Sequence, residues 1–403
     1  MTDFYQGGSV TTLHKLTDRP LAELEEELRE FSLKRPMGLV LPSLYSELEG
    51  PALPHILEEL KQADYLSHII VGLDRADEAQ FQTAREFFSV LPQRVHLLWH
   101  DGPRLQTLDQ ELHGLRLSPV ETGKGRNVWF CLGYALGLED LEVIGLHDCD
   151  IVTYSREIPA RLFYPLAHAN FGFEYAKGYY ARVNEQVLGG RVTRLFVTPL
   201  LRALKIMAGP LDYLDYMDSF RYPLSGEFAM SRELASQVRI PSDWGLEIGL
   251  LSEVYRNISR RQVCQVDIAD QYDHKHQELS AEDRASGLAK MSTDIAKSLY
   301  RKLATEGIQM NKAFFRSLKA SYLRIALDFV EMYCHDARIN GLSFNRHGEE
   351  EAIEVFQHSI VEAGHSFSAD PLEAPFINNW KRVISAVPDF IPRFYAAVEE
   401  DNR

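Results

Sequence analysis

Cysteine and long apolar runs are scarce in this sequence of 403 residues. Its four cysteines form no CxxC pair, so neither a disulfide framework nor a structural zinc site is indicated. No run reaches the roughly 18 apolar residues of a membrane span. The first residues also lack the basic and then apolar segments of a secretory signal. We therefore expect a cytoplasmic protein without a membrane partner.

Basic residues are also in deficit, with 43 Lys and Arg against 58 Asp and Glu and a net charge of -15. The summed field of such a chain repels phosphates, which argues against a nucleic-acid partner or an anionic-membrane surface. An anionic substrate would therefore need a locally basic pocket. A hydrophobic content of 45% is ordinary for a globular protein, and the length allows one large domain or two smaller ones.

From about residue 36, short apolar runs alternate with amphipathic segments. The predicted strands are 37–44, 66–74, 94–101 and 141–148, and the predicted helices are 52–63, 78–91 and 125–139. This alternation indicates an α/β fold with a mostly parallel sheet covered on both faces. Ligands of such sheets bind beyond the carboxyl ends of the strands, where Asp74, Asp101 and Asp148 are expected.

Residues 281–403 differ, because several long segments there show helical periodicity. This helical C-terminal extension contains no compact set of candidate catalytic residues. We assign it to packing or oligomerisation, and residues 1–280 to the functional domain.

Two acids follow the fourth predicted strand, in the stretch LEVIGLHDCDIVTY. Asp148 and Asp150 are two residues apart, and alternate residues of an extended segment project to the same side. Together they offer oxygen ligands to one hard cation such as Mg²⁺ or Mn²⁺. A bound cation would also remove the repulsion between two close carboxylates. A solvated acidic turn is the alternative.

Two glycine-containing stretches are candidate anion sites. In TGKGRNVW, Gly123 and Lys124 precede a helix, whose N-terminus attracts phosphate oxygens. In LGGRVTRL, the stretch with Gly190, Arg191 and Thr193 combines a close-approaching backbone with a guanidinium that fits a phosphate or carboxylate. The alternatives are an ordinary glycine loop for the first, and a hairpin turn followed by a basic strand for the second.

Further candidates are two glutamates and two histidines. Glu247 stands near the first turn of an apolar helix, where the dipole favours any acid. Glu227 lies in PLSGEFAM, and His274 and His276 lie two apart in YDHKHQ. A histidine could complete a metal site or contact a phosphate, but each of these residues also has an ordinary structural interpretation.

The ordered series VLPSL, GKGRNVW, HDCD, GGRVT, PLSGEFA, GLEIGLL and HKHQ resembles the glucosyl-3-phosphoglycerate synthases. These are retaining glycosyltransferases of the GT-A fold, related to the mannosyl-3-phosphoglycerate synthases. The resemblance covers roughly residues 36–280. It implies a Rossmann-like sheet with a nucleotide-sugar half at about 36–155 and an acceptor half at about 156–280. It also implies a homodimer and a product used in compatible-solute synthesis.

The implied reaction moves glucose from a nucleoside-diphosphate glucose to the 2-hydroxyl of 3-phosphoglycerate, with Mg²⁺ or Mn²⁺. The residues that the resemblance assigns to the donor are Pro42, Ser43, Leu44, Asp74, Gly123, Lys124 and Asp148. Family members commonly carry paired acids soon after the first strand, where this chain has SLYSELEG, so Glu47 is the substitute for the ribose contact.

The resemblance also assigns the metal and the acceptor. Its metal ligands are Asp150, with or without Asp148, and His274. Its acceptor contacts are Gly190, Arg191, Thr193 and His276. Because the register of DHKHQ could slip by two residues, His276 is also the alternative to His274 as the metal ligand. The acids placed nearest the chemistry are Glu247, which would touch the glucose or the acceptor hydroxyl, with Glu227 and Asp148.

Three other interpretations stay open. A mannosyl-3-phosphoglycerate synthase would keep the fold and use GDP-mannose. A nucleotidyltransferase would normally carry a glycine-rich basic loop after the first strand, which VLPSLYSELEG lacks. A catalytically silent protein would bind sugar nucleotides without turnover. The sequence leaves the base, uridine or guanosine, undecided.

Overall fold

A computed structural model describes residues 6, 8–119, 121–184, 186–273, 281–371 and 377–403, with only the backbone described at 184 and 281–286. His274 and His276 lie outside the described residues. In the described part, the strands are β1 Thr11–Leu13, β2 Met37–Leu44, β3 Leu66–Asp74, β4 Arg94–Trp99, β5 Val143–Leu146, β6 Tyr175–Tyr180, β7 Val183–Asn184, β8 Val187–Leu188, β9 Phe228–Ser231 and β10 Val263–Ala269.

Helices cover both faces of the sheet. Those before residue 281 are α1 Leu21–Ser32, α2 Ala52–Leu60, α3 Glu78–Phe88, α4 Pro103–Gly114, α5 Lys124–Gly137, α6 Glu157–Ala167, α7 Thr198–Ala208, α8 Asp212–Asp218, α9 Arg232–Gln237 and α10 Leu246–Asn257. Those after it are α11 Ala281–Thr305, α12 Lys312–Ile339, α13 Arg346–Ala369, α14 Trp380–Ala386 and α15 Phe390–Asp401. A π-helix, Val192–Val197, runs directly into α7.

The central sheet has eight strands in the order β1-β10-β6-β9-β5-β2-β3-β4. Strand β9 is antiparallel to β5 and β6, and the other neighbours are parallel. Chain order reverses between β2, which continues to β3 and β4, and β5 on its other side. In open α/β sheets this reversal opens a crevice at the carboxyl ends of the strands, and the candidate acids lie there.

Strand β2 shows why the sheet is covered on both faces. Leu39, Val40 and Leu41 are all fully buried. Val40 packs into the apolar cluster on one face, whereas Leu39 and Leu41 pack into the cluster on the other. A strand buried on both faces needs a continuous apolar run rather than an alternating one. The MGLVLPSL stretch supplies that run.

Strands β2 to β5 are the four predicted strands, and the predicted α/β class is confirmed. The structure also contains β1, β6 and α4, which were not predicted. Strand β5 ends at Leu146 rather than at Asp148, and α2 ends at Leu60. None of the described helices combines the length and apolar character needed to cross a membrane.

The predicted helical C-terminal region is confirmed, and it shares the core of the rest of the chain. The indole of Trp380 on α14 stacks on Trp129 of α5 at 4.2 Å between ring centroids. Its Nε1 donates a hydrogen bond to the carbonyl oxygen of Trp129 at 2.8 Å. The contact between Trp380 and Trp129 joins the two parts into one apolar core. The domain boundary at 280 stays a prediction.

Candidate active site

Three elements bring one cation and two acids together at the crevice. Lys124 is the first residue of α5, Asp148 follows β5, and Glu247 lies in the first turn of α10. The Nζ of Lys124 lies 2.6 Å from Oδ1 of Asp148 and 3.4 Å from Oε1 of Glu247. Desolvation lowers the pKa of Lys124, but the two carboxylates outweigh it and hold that pKa above its ordinary value. Lys124 therefore stays charged.

The acid pair lies in a turn beyond the strand, so the expectation that it sits in an extended segment is wrong. Cys149 and Asp150 form that turn. The sides still alternate, because Cys149 is buried in the apolar core while Asp148 and Asp150 are partly exposed. Packing of the Cys149 side chain, rather than strand pleating, directs both acids toward the crevice.

A backbone segment presses against Asp148 from the other side. A Cβ atom at Gly226 would lie only 2.4 Å from Oδ2 of Asp148. Glycine is therefore required there for the Ser225–Glu227 segment to pack against the acid. This close approach explains the glycine in the PLSGEFA stretch, which the sequence alone left without a role.

The donor set fits a hard divalent cation in chemistry, since it offers two carboxylates. Asp148 and Asp150 provide oxygen ligands of the kind that Mg²⁺ and Mn²⁺ prefer. In the described part of the chain, no group of three or more His, Cys, Asp or Glu residues has the geometry to hold a metal. The third protein ligand that was predicted, His274, lies outside that part.

The residues assigned to the nucleotide meet at the ends of β2 and β3. In the sheet register Ser43 lies beside Leu73, and Leu44 lies beside Asp74. Pro42 precedes them in β2, and Glu47 ends a 3-10 turn directly after the strand. These residues share the edge of the sheet at which Asp148 and Asp150 lie.

Asn127 was missed by the sequence analysis. Its Nδ2 donates to the carbonyl oxygen of Gly72 at 2.8 Å and to Oδ2 of Asp74 at 2.9 Å. It therefore ties the first turn of α5 to the end of β3 and fixes the Asp74 carboxylate. Its place in GKGRNVW, three residues after Lys124, was the available signal.

Glu227 is fully buried and does not open into the crevice. Its carboxylate accepts hydrogen bonds from the hydroxyls of Tyr180 at 2.9 Å, Tyr272 at 2.6 Å and Ser225 at 2.9 Å. The two tyrosine rings stack at 3.5 Å between centroids. In this arrangement Glu227 holds the wall of the site. Its predicted place among the reacting acids stays a prediction.

Lys177 is a buried cation that the sequence analysis also missed. It lies on β6, is 1% exposed, and its Nζ donates to the carbonyl oxygen of Ser225 at 2.5 Å. Burial lowers its pKa to about 8, although Glu247 and Glu227 act in the opposite direction. A single lysine inside the apolar strand YAKGYY was the signal for it.

The second candidate anion site is the start of a helix. Gly190 has φ +68, a left-handed conformation that favours glycine, and a Cβ atom added there would lie 3.2 Å from the ring of Tyr222. The chain then enters the π-helix and α7, so a helix follows the hairpin β7–β8 and the alternative of a basic strand is wrong. The buried hydroxyl of Thr193 has no hydrogen-bond partner within the described residues. The predicted contact of Thr193 with the acceptor phosphate stays a prediction.

Neighbouring tyrosine rings connect this helix start to the Lys124 cluster. A Cβ atom at Gly190 would lie 3.2 Å from Tyr222, whose ring centroid is 4.9 Å from that of Tyr180. Tyr180 in turn binds Glu227, the neighbour of the glycine that contacts Asp148. The two anion sites predicted separately therefore belong to one continuous wall.

Comparison with known proteins decides the family. The chain is 50% identical to glucosyl-3-phosphoglycerate synthase of Persephonella marina over 402 residues, which cover 100% of this chain and 99% of that protein. It is 39% identical to the enzyme of the same name from Methanococcoides burtonii, covering 99% and 98%. This chain belongs to the glucosyl-3-phosphoglycerate synthase family.

A solved structure supports the fold of this family member. Glucosyl-3-phosphoglycerate synthase from Mycobacterium tuberculosis, in complex with Mn²⁺, UDP-glucose and phosphoglyceric acid, superposes with a TM-score of 0.52 at 23% identity. The match covers 73% of this chain and 87% of that one. No family model matches the chain. The predicted GT-A fold of the synthase family is thereby confirmed.

Proposed function

We propose that this synthase transfers glucose from UDP-glucose to the 2-hydroxyl of 3-phosphoglycerate and releases UDP. The observation that carries the proposal is full-length identity of 50% to a protein named for this activity. The convergence of Lys124, Asp148 and Glu247 supports it independently, because a sugar diphosphate needs a cation and metal-binding acids at one crevice. The M. tuberculosis complex with UDP-glucose favours uridine as the base.

Donor activation falls to residues at the ends of β5 and α5. Asp148 and Asp150 would hold Mg²⁺ or Mn²⁺, which when bound neutralises negative charge on the diphosphate. Lys124 adds a full positive charge at the N-terminus of α5 for the same leaving group. The contribution of Lys124 grows as the bond from the anomeric carbon to the diphosphate breaks.

Acceptor binding falls to the turn at Gly190. Arg191 and Thr193 would bind the phosphate of 3-phosphoglycerate with the backbone N–H groups of the helix start. Anchoring that phosphate places the 2-hydroxyl beside the anomeric carbon, which is worth several kcal/mol by the effective-molarity argument. This local positive charge also explains how a chain of net charge -15 accepts two anionic substrates.

The family retains configuration at the anomeric carbon, and the carboxylates described here argue against a covalent glucosyl-enzyme. Glu227 is fully buried under three hydroxyls, and Glu247 faces the Lys124 ammonium. We infer that the acceptor hydroxyl attacks from the side of the departing phosphate, which takes its proton. Mass-spectrometric trapping of a glucosyl group on Glu227 or Glu247 would overturn this step.

A donor panel tests the proposed function. The enzyme is incubated with Mg²⁺, 3-phosphoglycerate and, separately, UDP-glucose, GDP-glucose or GDP-mannose, and products are separated by mass. We expect a glucosylated phosphoglycerate with UDP-glucose as the preferred donor. Preference for GDP-mannose would favour a mannosyl transferase, release of pyrophosphate a nucleotidyltransferase, and binding without turnover a silent protein.

The assembly and location belong to the same proposal. We infer a homodimer working in the cytoplasm on a compatible-solute route, because the motifs resemble a family with these properties. Light scattering on the purified full chain measures the assembly directly, with twice the chain mass of 46.1 kDa as the expected result. A mass of one chain would contradict the dimer.

A further inference from the structure

A glutamate of the C-terminal extension reaches the predicted acceptor site. Glu349 lies in the first turn of α13 and is 5% exposed. Its Oε1 accepts hydrogen bonds from Nε and Nη2 of Arg191 at 3.1 and 3.0 Å. Its Oε2 forms an ion pair with Nη1 of Arg194 at 3.1 Å. One buried carboxylate thus bridges two arginines of the same turn.

Arg194 stabilises the turn at Gly189 and Gly190 by hydrogen bonds to the backbone that precedes it. Its Nε donates to the carbonyl oxygen of Gly189 at 2.7 Å, and its Nη2 donates to that of Leu188 at 3.0 Å. Its guanidinium lies 4.8 Å from the ring centroid of Tyr333 on α12. The extension therefore contacts Arg194 through both Glu349 and Tyr333.

The loop between α12 and α13 also pairs with the hairpin that precedes the turn. The N–H of Ser343 donates to the carbonyl oxygen of Gln186 at 2.7 Å, and Ser343 forms a parallel bridge with Val187. Together with the Glu349 contacts, this fixes the backbone of the hairpin and the side chains of the turn to the same part of the extension.

We propose that Glu349 is a positioning residue for acceptor binding, and that the C-terminal extension is part of the acceptor site. This rests on the proposed function, in which Arg191 binds the phosphate of 3-phosphoglycerate. An arginine that is 42% exposed in its side chain would otherwise sample many rotamers, and ordering it on binding costs free energy.

The contact geometry leaves room for the phosphate. Glu349 uses the Nε and Nη2 donors of Arg191, so the Nη1 group lies on the other side of the guanidinium. Two arginines and one carboxylate also keep a net charge of one positive unit at the turn. The glutamate therefore orders the cation without cancelling the field that attracts the acceptor.

Steady-state kinetics of full-length Glu349→Gln test this inference. The substitution keeps the shape and removes the charge, so we expect the KM for 3-phosphoglycerate to rise about tenfold, with kcat and the KM for UDP-glucose within about twofold. Glu349→Asp, which keeps the charge on a shorter side chain, should recover part of the loss. Glu350→Gln is the matched control, because Glu350, the partly exposed neighbour of Glu349, forms an ion pair with Arg346 and not with the arginines of the turn among the described residues.

A double-mutant cycle distinguishes the positioning role of Glu349 from the proposed phosphate-binding role of Arg191. If Glu349 acts through Arg191, adding Glu349→Gln to Arg191→Ala should change the acceptor KM by less than about twofold. A Glu349→Gln enzyme with an unchanged or lowered acceptor KM would overturn the positioning role. If Arg191→Ala itself left the acceptor KM unchanged, the proposed phosphate site would fail instead. Should Glu349→Gln not fold, Glu349→Asp carries the same test, with a raised acceptor KM expected and an unchanged one contradicting the role.

Discussion

Lys124 and Asp148 form the shortest ion pair of the candidate active site, with 2.6 Å between Nζ and Oδ1. One residue is predicted to bind the donor diphosphate and the other a metal, so two complementary groups meet where both ligands are expected. The positive charge of Lys124 also offsets the repulsion between the neighbouring carboxylates of Asp148 and Glu247.

Lys124→Gln should lower kcat by about 100-fold or more, because it removes one fixed charge that stabilises the leaving diphosphate. The KM for 3-phosphoglycerate should stay within about twofold, since the acceptor phosphate is proposed to bind at the separate turn after Gly190. Lys381→Gln is the control, because that lysine pairs with Glu233 on the exposed surface. A kcat for Lys124→Gln within threefold of the wild type corresponds to less than about 1 kcal/mol of activation free energy. That result would contradict the proposed role of Lys124 at the leaving diphosphate.

Asp150→Ala should abolish measurable turnover, and so should chelation of divalent metal from the wild-type enzyme. The reason is that the diphosphate charge then lacks its neutralising cation. Activity of the chelated wild type should return on adding Mn²⁺, whereas that of Asp150→Ala should not. Asp64→Asn, at an exposed ion pair with Arg29, is expected to behave as wild type. Metal-independent turnover would exclude the assignment.

The part of the fold that could be predicted is the part with strong periodicity. Strands β2 and β3 have the predicted bounds, because a run of five or more apolar residues between helices has few other interpretations. Strand β9 was missed because FAMS is short and depends on its neighbours β5 and β6 for pairing. The π-helix after Gly190 was taken for a possible strand because VTRLFV is rich in β-branched and apolar residues.

Gly190→Ala should destabilise the protein by about 1 to 2 kcal/mol, because an alanine at φ +68 is strained. It should also raise the acceptor KM, since the turn would shift away from Tyr222. Gly114→Ala is the matched control, because a Cβ there meets no atom within 4 Å and the change favours the helix. Chemical denaturation of both variants measures the difference. Equal stabilities would contradict the strained turn.

The buried Lys177 should make the free energy of unfolding depend on pH. Its pKa is about 8 when folded and 10.5 when exposed, so the unfolded chain binds the extra proton between these values. Stability therefore rises with pH across this window relative to Lys177→Met, by about 3 kcal/mol in total. Urea denaturation of both proteins between pH 7.5 and 10.5 measures it. A difference independent of pH would show that Lys177 is not a buried, charged lysine.

The candidate site was predicted where a motif is local and missed where it depends on packing. Lys124 and Asp148 stand in recognisable stretches, and their meeting follows from the parallel sheet. Lys177 and Asn127 become visible only when β6 and α5 pack beside them. Glu349 lies more than 150 residues from Arg191 in the chain, and nothing in its helical surroundings distinguishes it from neighbouring surface acids.

The proposed donor activation depends most on the two acids after β5 holding a divalent cation beside Lys124. A crystal grown with Mn²⁺ and UDP measures this directly through the anomalous signal of the metal. We expect one manganese peak within about 2.0 to 2.6 Å of carboxylate oxygens of Asp150 or Asp148, with the UDP phosphates on its other side. Bound UDP with no manganese at either carboxylate would contradict the proposed metal site.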